Sequence, residues 1–176
     1  DPTGQGFDLD ALQTLLADHP HSCALIDEAC IDFTELPSGI DRRSDQVLVL
    51  RSVTQLWALP GLRLGWLIGP APICERLRRR LPPRSVNSLA LRVGRRLLAD
   101  RSWPVQTRQQ VATWRSALHE ALVHLPGVTV HAGLANWLLL QLPDAGPDAA
   151  TVATRCLKQN VALRLCDDFP GLAGRW

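Results

Sequence analysis

The alternation of apolar and polar positions changes style along the chain. Asp8 stands ahead of Leu9, Leu12, Leu15 and Leu16, an aspartate cap followed by apolar residues at helical spacing, which predicts a helix over about residues 9–18. Ser22 to Ile26 is then a continuous apolar run between a proline turn and a pair of acids, the pattern of a strand buried on both faces. Two further runs follow, Gln46 to Arg51 and Leu62 to Ile68, with turn-rich sequence between residues 36 and 45. A helix followed by short apolar strands with acids and hydroxyls at their ends predicts an α/β fold, a mainly parallel sheet covered by helices. From Pro70 the pattern turns helical: residues 71–81, then 86–98 after Pro82-Pro83, then a long helix from 103 or 104 to 125 that Pro126-Gly127 stops. Beyond it, residues 128–131, 136–142 and 161–165 read as strands and 147–159 as a helix. The expected organisation is a larger domain over 1–102 and a smaller C-terminal α+β domain over 103–176.

Composition narrows the class. Apolar content of 46% with 20% charged residues is globular, against disorder. The longest apolar stretches, such as Trp137 to Leu140, are far too short to span a membrane, and no charged-then-apolar leader is present. The expectation is a soluble cytoplasmic protein with no membrane partner. The opening Asp1-Pro2-Thr3-Gly4, with no lead-in strand, and the glycine-punctuated end Leu172 to Trp176 predict a chain incomplete at both ends. Five cysteines without a CxxC spacing read as reduced, buried apolar residues, not a disulfide frame or zinc site. Arg76, Arg78, Arg79, Arg80, Arg84, Arg95 and Arg96 form a basic stretch, but a net charge of +2 and the lack of interleaved aromatics predict a solvated helix face and no nucleic-acid partner. His119 and His124 are five apart and share no helix face, so no metal pair is expected.

Two segments could carry chemistry. In the first, Asp27 stands where an apolar strand ends, the usual ligand crevice of an α/β sheet, and an acid there needs a cationic or hydrogen-bonding partner. One reading is a nucleotide hydrolase with Asp27-Glu28 as its magnesium site. It requires a GxxxxGK[ST] phosphate loop, which the sequence lacks: it has eighteen arginines and a single lysine, Lys158. Another is a pyridoxal phosphate enzyme, in which the carboxylate keeps a pyridine nitrogen protonated so that the ring can accept electrons. A third is a pair of acids that merely cap the next turn. In the second segment, Arg51 to Gly65, the hydroxyls of Ser52 and Thr54 and the guanidinium of Arg63 suit a phosphate dianion. Gly61 and Gly65 would let the backbone pass close to a ligand, although an ordinary loop with a surface arginine reads similarly.

Ser52-Val53-Thr54-Gln55 with Pro60-Gly61-Leu62-Arg63-Leu64-Gly65 resembles the cofactor loop of the class I and II aminotransferases. Ile26 to Phe33 resembles the strand segment that supplies their pyridine-binding aspartate, and Asp1 to Gly4 resembles the end of an Asn-Pro-x-Asn-Pro-Thr-Gly stretch. The three blocks match in order and spacing. Within that family Ser85 to Ala90, Ala135 to Leu140 and Leu165 to Leu172 are similar to the threonine-phosphate decarboxylases of cobalamin biosynthesis, near relatives of the histidinol-phosphate aminotransferases.

The resemblance implies a fold type I architecture, pyridoxal 5'-phosphate as cofactor, a small amino acid phosphate as substrate and a homodimer. Asp27 would face the ring nitrogen; Ser52, Thr54 and Arg63 would hold the phosphate; Asn87 would lie near the substrate. Three positions depart from the family pattern. Asp1 replaces an asparagine that donates to the ring's phenolate oxygen, Cys30 replaces an aromatic residue beside the same oxygen, and Gln55 replaces the Schiff-base lysine. The lysine adds to the cofactor aldehyde and then moves protons, whereas an amide nitrogen with its lone pair delocalised does neither. Lys158, beside Gln159-Asn160, reads as a solvated surface residue. The expectation is a decarboxylase architecture that holds the cofactor, or a preformed cofactor–substrate adduct, without useful turnover. An aminotransferase of histidinol-phosphate type and a catalytically inactive binding or scaffold protein are the alternatives.

Overall fold

The computed structural model describes residues 2–42 and 44–176. They form two compact units, one of residues 6–111 and the other of residues 1–5 with 112–176.

The first unit opens with α1 (Leu9–Asp18), whose cap Asp8 accepts from the amides of Asp10 (2.8 Å) and Ala11 (3.2 Å). Its Leu9 and Leu16 pack on Ile26, Val47 and Val49 of a three-stranded sheet, burial that supplies most of the local stabilisation. The strands are β1 (Ala24–Asp27), β2 (Val47–Ser52) and β3 (Gly65–Ile68), in that spatial order. The side-chain amide of Gln46 donates to the carbonyls of Leu16, His19 and Ser22, tying the end of α1 to the start of β2. The helices α2 (Ala71–Arg78) and α3 (Ser88–Ala99) follow, and α4 (Ser102–Val123) begins in this unit.

The sheet is mixed, which corrects the expectation of a mainly parallel one. β1 and β2 run parallel, with Asp27 opposite Leu50, while β2 and β3 are antiparallel, with Ser52 opposite Gly65. The reason lies in the connection: no helix crosses over between β2 and β3, only a loop with a short 3-10 turn at Pro60–Leu62, so the chain folds straight back. Nor is β1 buried on both faces. Ile26 is covered by α1, but Leu25 on the opposite face is 62% exposed.

The second unit contains β4 (Thr129–His131) and β5 (Leu139–Gln141), an antiparallel pair, and α5 (Ala149–Leu157), capped by Asp148 onto the Thr151 amide. Residues 161–165 are irregular here, not a strand, and Val161 and Leu163 are exposed. A strand exists through its ladder partners, and no described residue pairs with this run. An apolar cavity of about 520 Å³ lies in this unit, lined in part by Trp137, Leu139, Leu163 and Phe169. All five cysteines are free, yet only Cys166 is buried and Cys23 is exposed, so the expectation that all five are buried fails. No helix among the described residues is long and apolar enough to cross a membrane.

Candidate functional site

The site is built where β1 and β2 end. Asp27 and Leu50 are partners in a parallel ladder and Ser52 lies two residues beyond Leu50, so Asp27 and Ser52 leave the sheet on one face. Glu28 and Arg51, one residue on and one residue back, belong to the opposite face. There the buried Glu28 carboxylate meets Arg51 Nε (3.0 Å), the Ser38 hydroxyl (2.7 Å) and the Gly39 amide (2.6 Å). Arg51 also reaches Asp32 at 3.0 Å.

Asp27 is exposed and accepts one hydrogen bond, from the Ala29 amide at 2.9 Å; the cationic partner allowed for from the sequence does not appear among the described residues. This makes the reading of Asp27-Glu28 as a metal site untenable in this structure. Glu28 is spent on protein donors on the other face of the sheet, and no group of three His, Cys, Asp or Glu residues able to hold a metal occurs among the described residues. The turn-capping reading is half right, because Asp27 caps its own turn with one oxygen and leaves the other free to solvent.

Ser52 donates its hydroxyl proton to Thr54 Oγ (2.8 Å) and accepts from the Thr54 amide (3.0 Å), which leaves the Thr54 hydroxyl hydrogen available to a ligand. The Val53 amide donates to the Leu64 carbonyl (3.2 Å), one step past the Ser52–Gly65 pair, so the segments carrying Thr54 and Arg63 leave the sheet side by side. Val53 and Leu56 are buried as pegs, and the indole of Trp103 donates to the Leu56 carbonyl (2.9 Å). Gln55, between the pegs, is exposed. Arg63 sits in the left-handed region at φ 50°, with one N–H on the Pro60 carbonyl (3.2 Å) and its remaining donors turned to solvent; Ala58 shares that region at φ 49°. Two non-glycine residues so placed in one loop cost on the order of 1–2 kcal/mol each, strain of the kind that collects at binding sites.

Gly65 is required for a reason other than ligand approach. A Cβ there would lie 2.8 Å from the Arg51 carbonyl oxygen, backbone that cannot step aside, whereas one at Gly61 would meet nothing within 4 Å. Gly65→Ala is therefore expected to cost about 1–3 kcal/mol in urea unfolding and to displace Ser52; unchanged stability would show that the strands approach less closely.

Cys30 is half-buried, and burial, then the Asp27 carboxylate, push its thiol up, so near neutral pH it is an uncharged weak donor. Asn87 caps α3, its side-chain oxygen accepting from the Ala90 amide (2.8 Å), with its amide nitrogen left over. Asp1 lies outside the described residues. Lys158 is an exposed helix C-cap in the other unit.

The profile of the family "Aminotransferase class I and II" matches residues 1–170. The chain belongs to this family of pyridoxal-phosphate proteins. It is 36% identical over 156 residues to the threonine-phosphate decarboxylase of Salmonella typhimurium, covering 86% of this chain and 42% of that relative. The histidinol-phosphate aminotransferase structure from Clostridium acetobutylicum superposes with a TM-score of 0.92 at 22% identity, covering 99% of this chain and 54% of that one. The Sinorhizobium meliloti histidinol-phosphate aminotransferase, solved with pyridoxal-5'-phosphate, gives 0.79 at 16% identity, covering 94% of this chain and 46% of that one. These superpositions establish the fold of the aminotransferase family, fold type I with a mixed sheet. The chain spans less than half the length of the Salmonella relative.

The family's cofactor fits the non-covalent half of this site. A free carboxylate oxygen, an outward hydroxyl and a guanidinium with spare donors surround one end of the sheet. Position 55 carries an amide, which forms no stable imine with an aldehyde.

Proposed function

We propose that the protein binds pyridoxal phosphate, or a cofactor already joined to a phosphorylated amino acid of threonine-phosphate type, without bonding to it and without useful turnover. Support comes from the family, from the decarboxylase relative, and from the placement of Asp27 and Ser52 on one face beside the Thr54–Arg63 loop. When bound, the cofactor supplies an electron sink for charge developing at the substrate's α-carbon. Asp27 holds the ring nitrogen's proton through a charge-assisted bond. Thr54 and Arg63 fix the phosphate, with Arg63 providing the charge and Thr54 the outward hydrogen that Ser52 orients. Gln55 positions a polar amide where the family holds an amine, so no side chain there accepts a proton near neutral pH. The Cys30 thiol feels the Asp27 carboxylate beside it, and Asn87, which caps α3, is the residue assigned to the substrate by the family resemblance.

The reading of the site is tested by calorimetric titration with pyridoxamine 5'-phosphate and with pyridoxamine, neither of which requires a protein amine. The phosphorylated ligand should bind at least about 100-fold more tightly, and Thr54→Val should cost about 1.5–3 kcal/mol, the worth of a hydrogen bond to a charged group. Equal affinity for the two ligands would refute the phosphate assignment.

A further inference from the structure

We propose that the Glu28–Arg51 ion pair is a positioning device for the ligand-facing edge of the sheet, fixing Asp27 and Ser52 relative to one another from behind. This rests on the reading of Asp27 as the partner of a protonated ring nitrogen. Glu28 directly follows Asp27, and Arg51 directly precedes Ser52. The Glu28 amide donates to the Leu50 carbonyl (2.9 Å), so the parallel ladder continues one step past β1 and the four residues alternate between the faces.

The bonds on the rear face leave little play. Glu28 is 4% exposed and uses both carboxylate oxygens, on Arg51, Ser38 and Gly39. Arg51 is further held by Asp32, whose carbonyl in turn accepts from Arg108 Nε at 3.0 Å. Gly39 makes the approach feasible: a Cβ on it would lie 2.7 Å from Ile26 Cδ1 and 3.4 Å from Glu28 Oε1. A buried ion pair is an inefficient way to stabilise a fold, since apolar residues of similar volume do as well. What it adds is direction, with short polar bonds joining the ends of two neighbouring strands at one height. Among the described residues Asp27 itself has only the bond from the Ala29 amide, so its aim follows the backbone that Glu28 pins.

The test is the pH at which pyridoxamine 5'-phosphate, bound to the full chain, loses its ring proton, read by ultraviolet absorbance. Asp27→Asn should lower this midpoint toward that of the free ligand. Glu28→Gln and Arg51→Lys should each lower it by about one pH unit, a tenfold change in the proton equilibrium. Leu9→Ala, in the core beneath the same sheet, should lower the melting temperature and leave the midpoint alone. The two pair variants separate geometry from charge. Glu28→Gln removes a negative charge and would lower the midpoint through space alone, but Arg51→Lys keeps its charge while losing the fork that spans Glu28, Asp32 and Ser38. A midpoint unmoved by Arg51→Lys while Asp27→Asn shifts it overturns the positioning role and leaves the ligand reading standing. A midpoint that Asp27→Asn does not move, or no binding to the unaltered protein, overturns both.

Discussion

Gln55→Lys is expected to give the protein a pyridoxal phosphate adduct on residue 55 that borohydride fixes stoichiometrically, where the unaltered protein, with an amide there, forms none at that position. Gln55 is exposed between the buried pegs Val53 and Leu56, in the loop that carries Thr54. A longer side chain there meets no packed neighbour that would exclude it, so the substitution should fold and present its amine beside the phosphate donors. The amide of Gln55 cannot make this bond because its nitrogen lone pair is delocalised into the carbonyl. Peptide mass mapping after reduction reads which residue carries the adduct. Stoichiometric labelling of the unaltered protein at one other amine would mean that this amine serves the site; failure of the variant to label at residue 55 would mean that position 55 does not face the cofactor.

Arg51→Met is expected to destabilise the protein by about 3–5 kcal/mol, the cost of leaving a buried carboxylate without its cation. Glu28 would retain the Ser38 hydroxyl and the Gly39 amide, but neither carries a charge. Urea unfolding at pH 7 checks the loss. A loss below about 1 kcal/mol at pH 7, the worth of an exposed pair, would show that the pair is solvated.

The parts of this fold legible in the sequence are those fixed by neighbours in the chain. The cap at Asp8 and the leucines one helical turn apart define α1 locally, and Pro126-Gly127 closes α4 in the same way. The direction of β3 was not legible, because an apolar run reads the same up or down, and only its connection to Ser52 decides. Residues 161–165 had strand character but no partner, and pairing is a property of two segments.

At the site, the sequence singles out Asp27, Ser52, Thr54 and Arg63 because strand ends and hydroxyl–guanidinium loops suit a phosphorylated ring ligand, and the structure brings them to the end of the sheet where β1 and β2 stop. The Glu28–Arg51 pair is harder to read. By sequence Glu28 suits a metal ligand or a cap, whereas its partners Ser38 and Gly39 lie ten and eleven residues away through an irregular turn. One signal could have revealed the pair: with Asp27 and Ser52 assigned to the front of parallel strands, alternation alone sends Glu28 and Arg51 to the back, where opposite charges must meet.

In the proposed complex one small molecule bridges Asp27 and the Thr54 and Arg63 donors, the Thr54 hydroxyl being oriented by Ser52, without a bond to the chain. The phosphorus resonance of bound pyridoxamine 5'-phosphate between pH 5 and 8 tests it most directly, since a free phosphate monoester titrates near pH 6. A phosphate gripped by Arg63 and the Thr54 hydroxyl should stay dianionic well below that value, and Arg63→Gln should return it to the free curve. A bound resonance that follows the free ligand's titration in the unaltered protein would contradict the account.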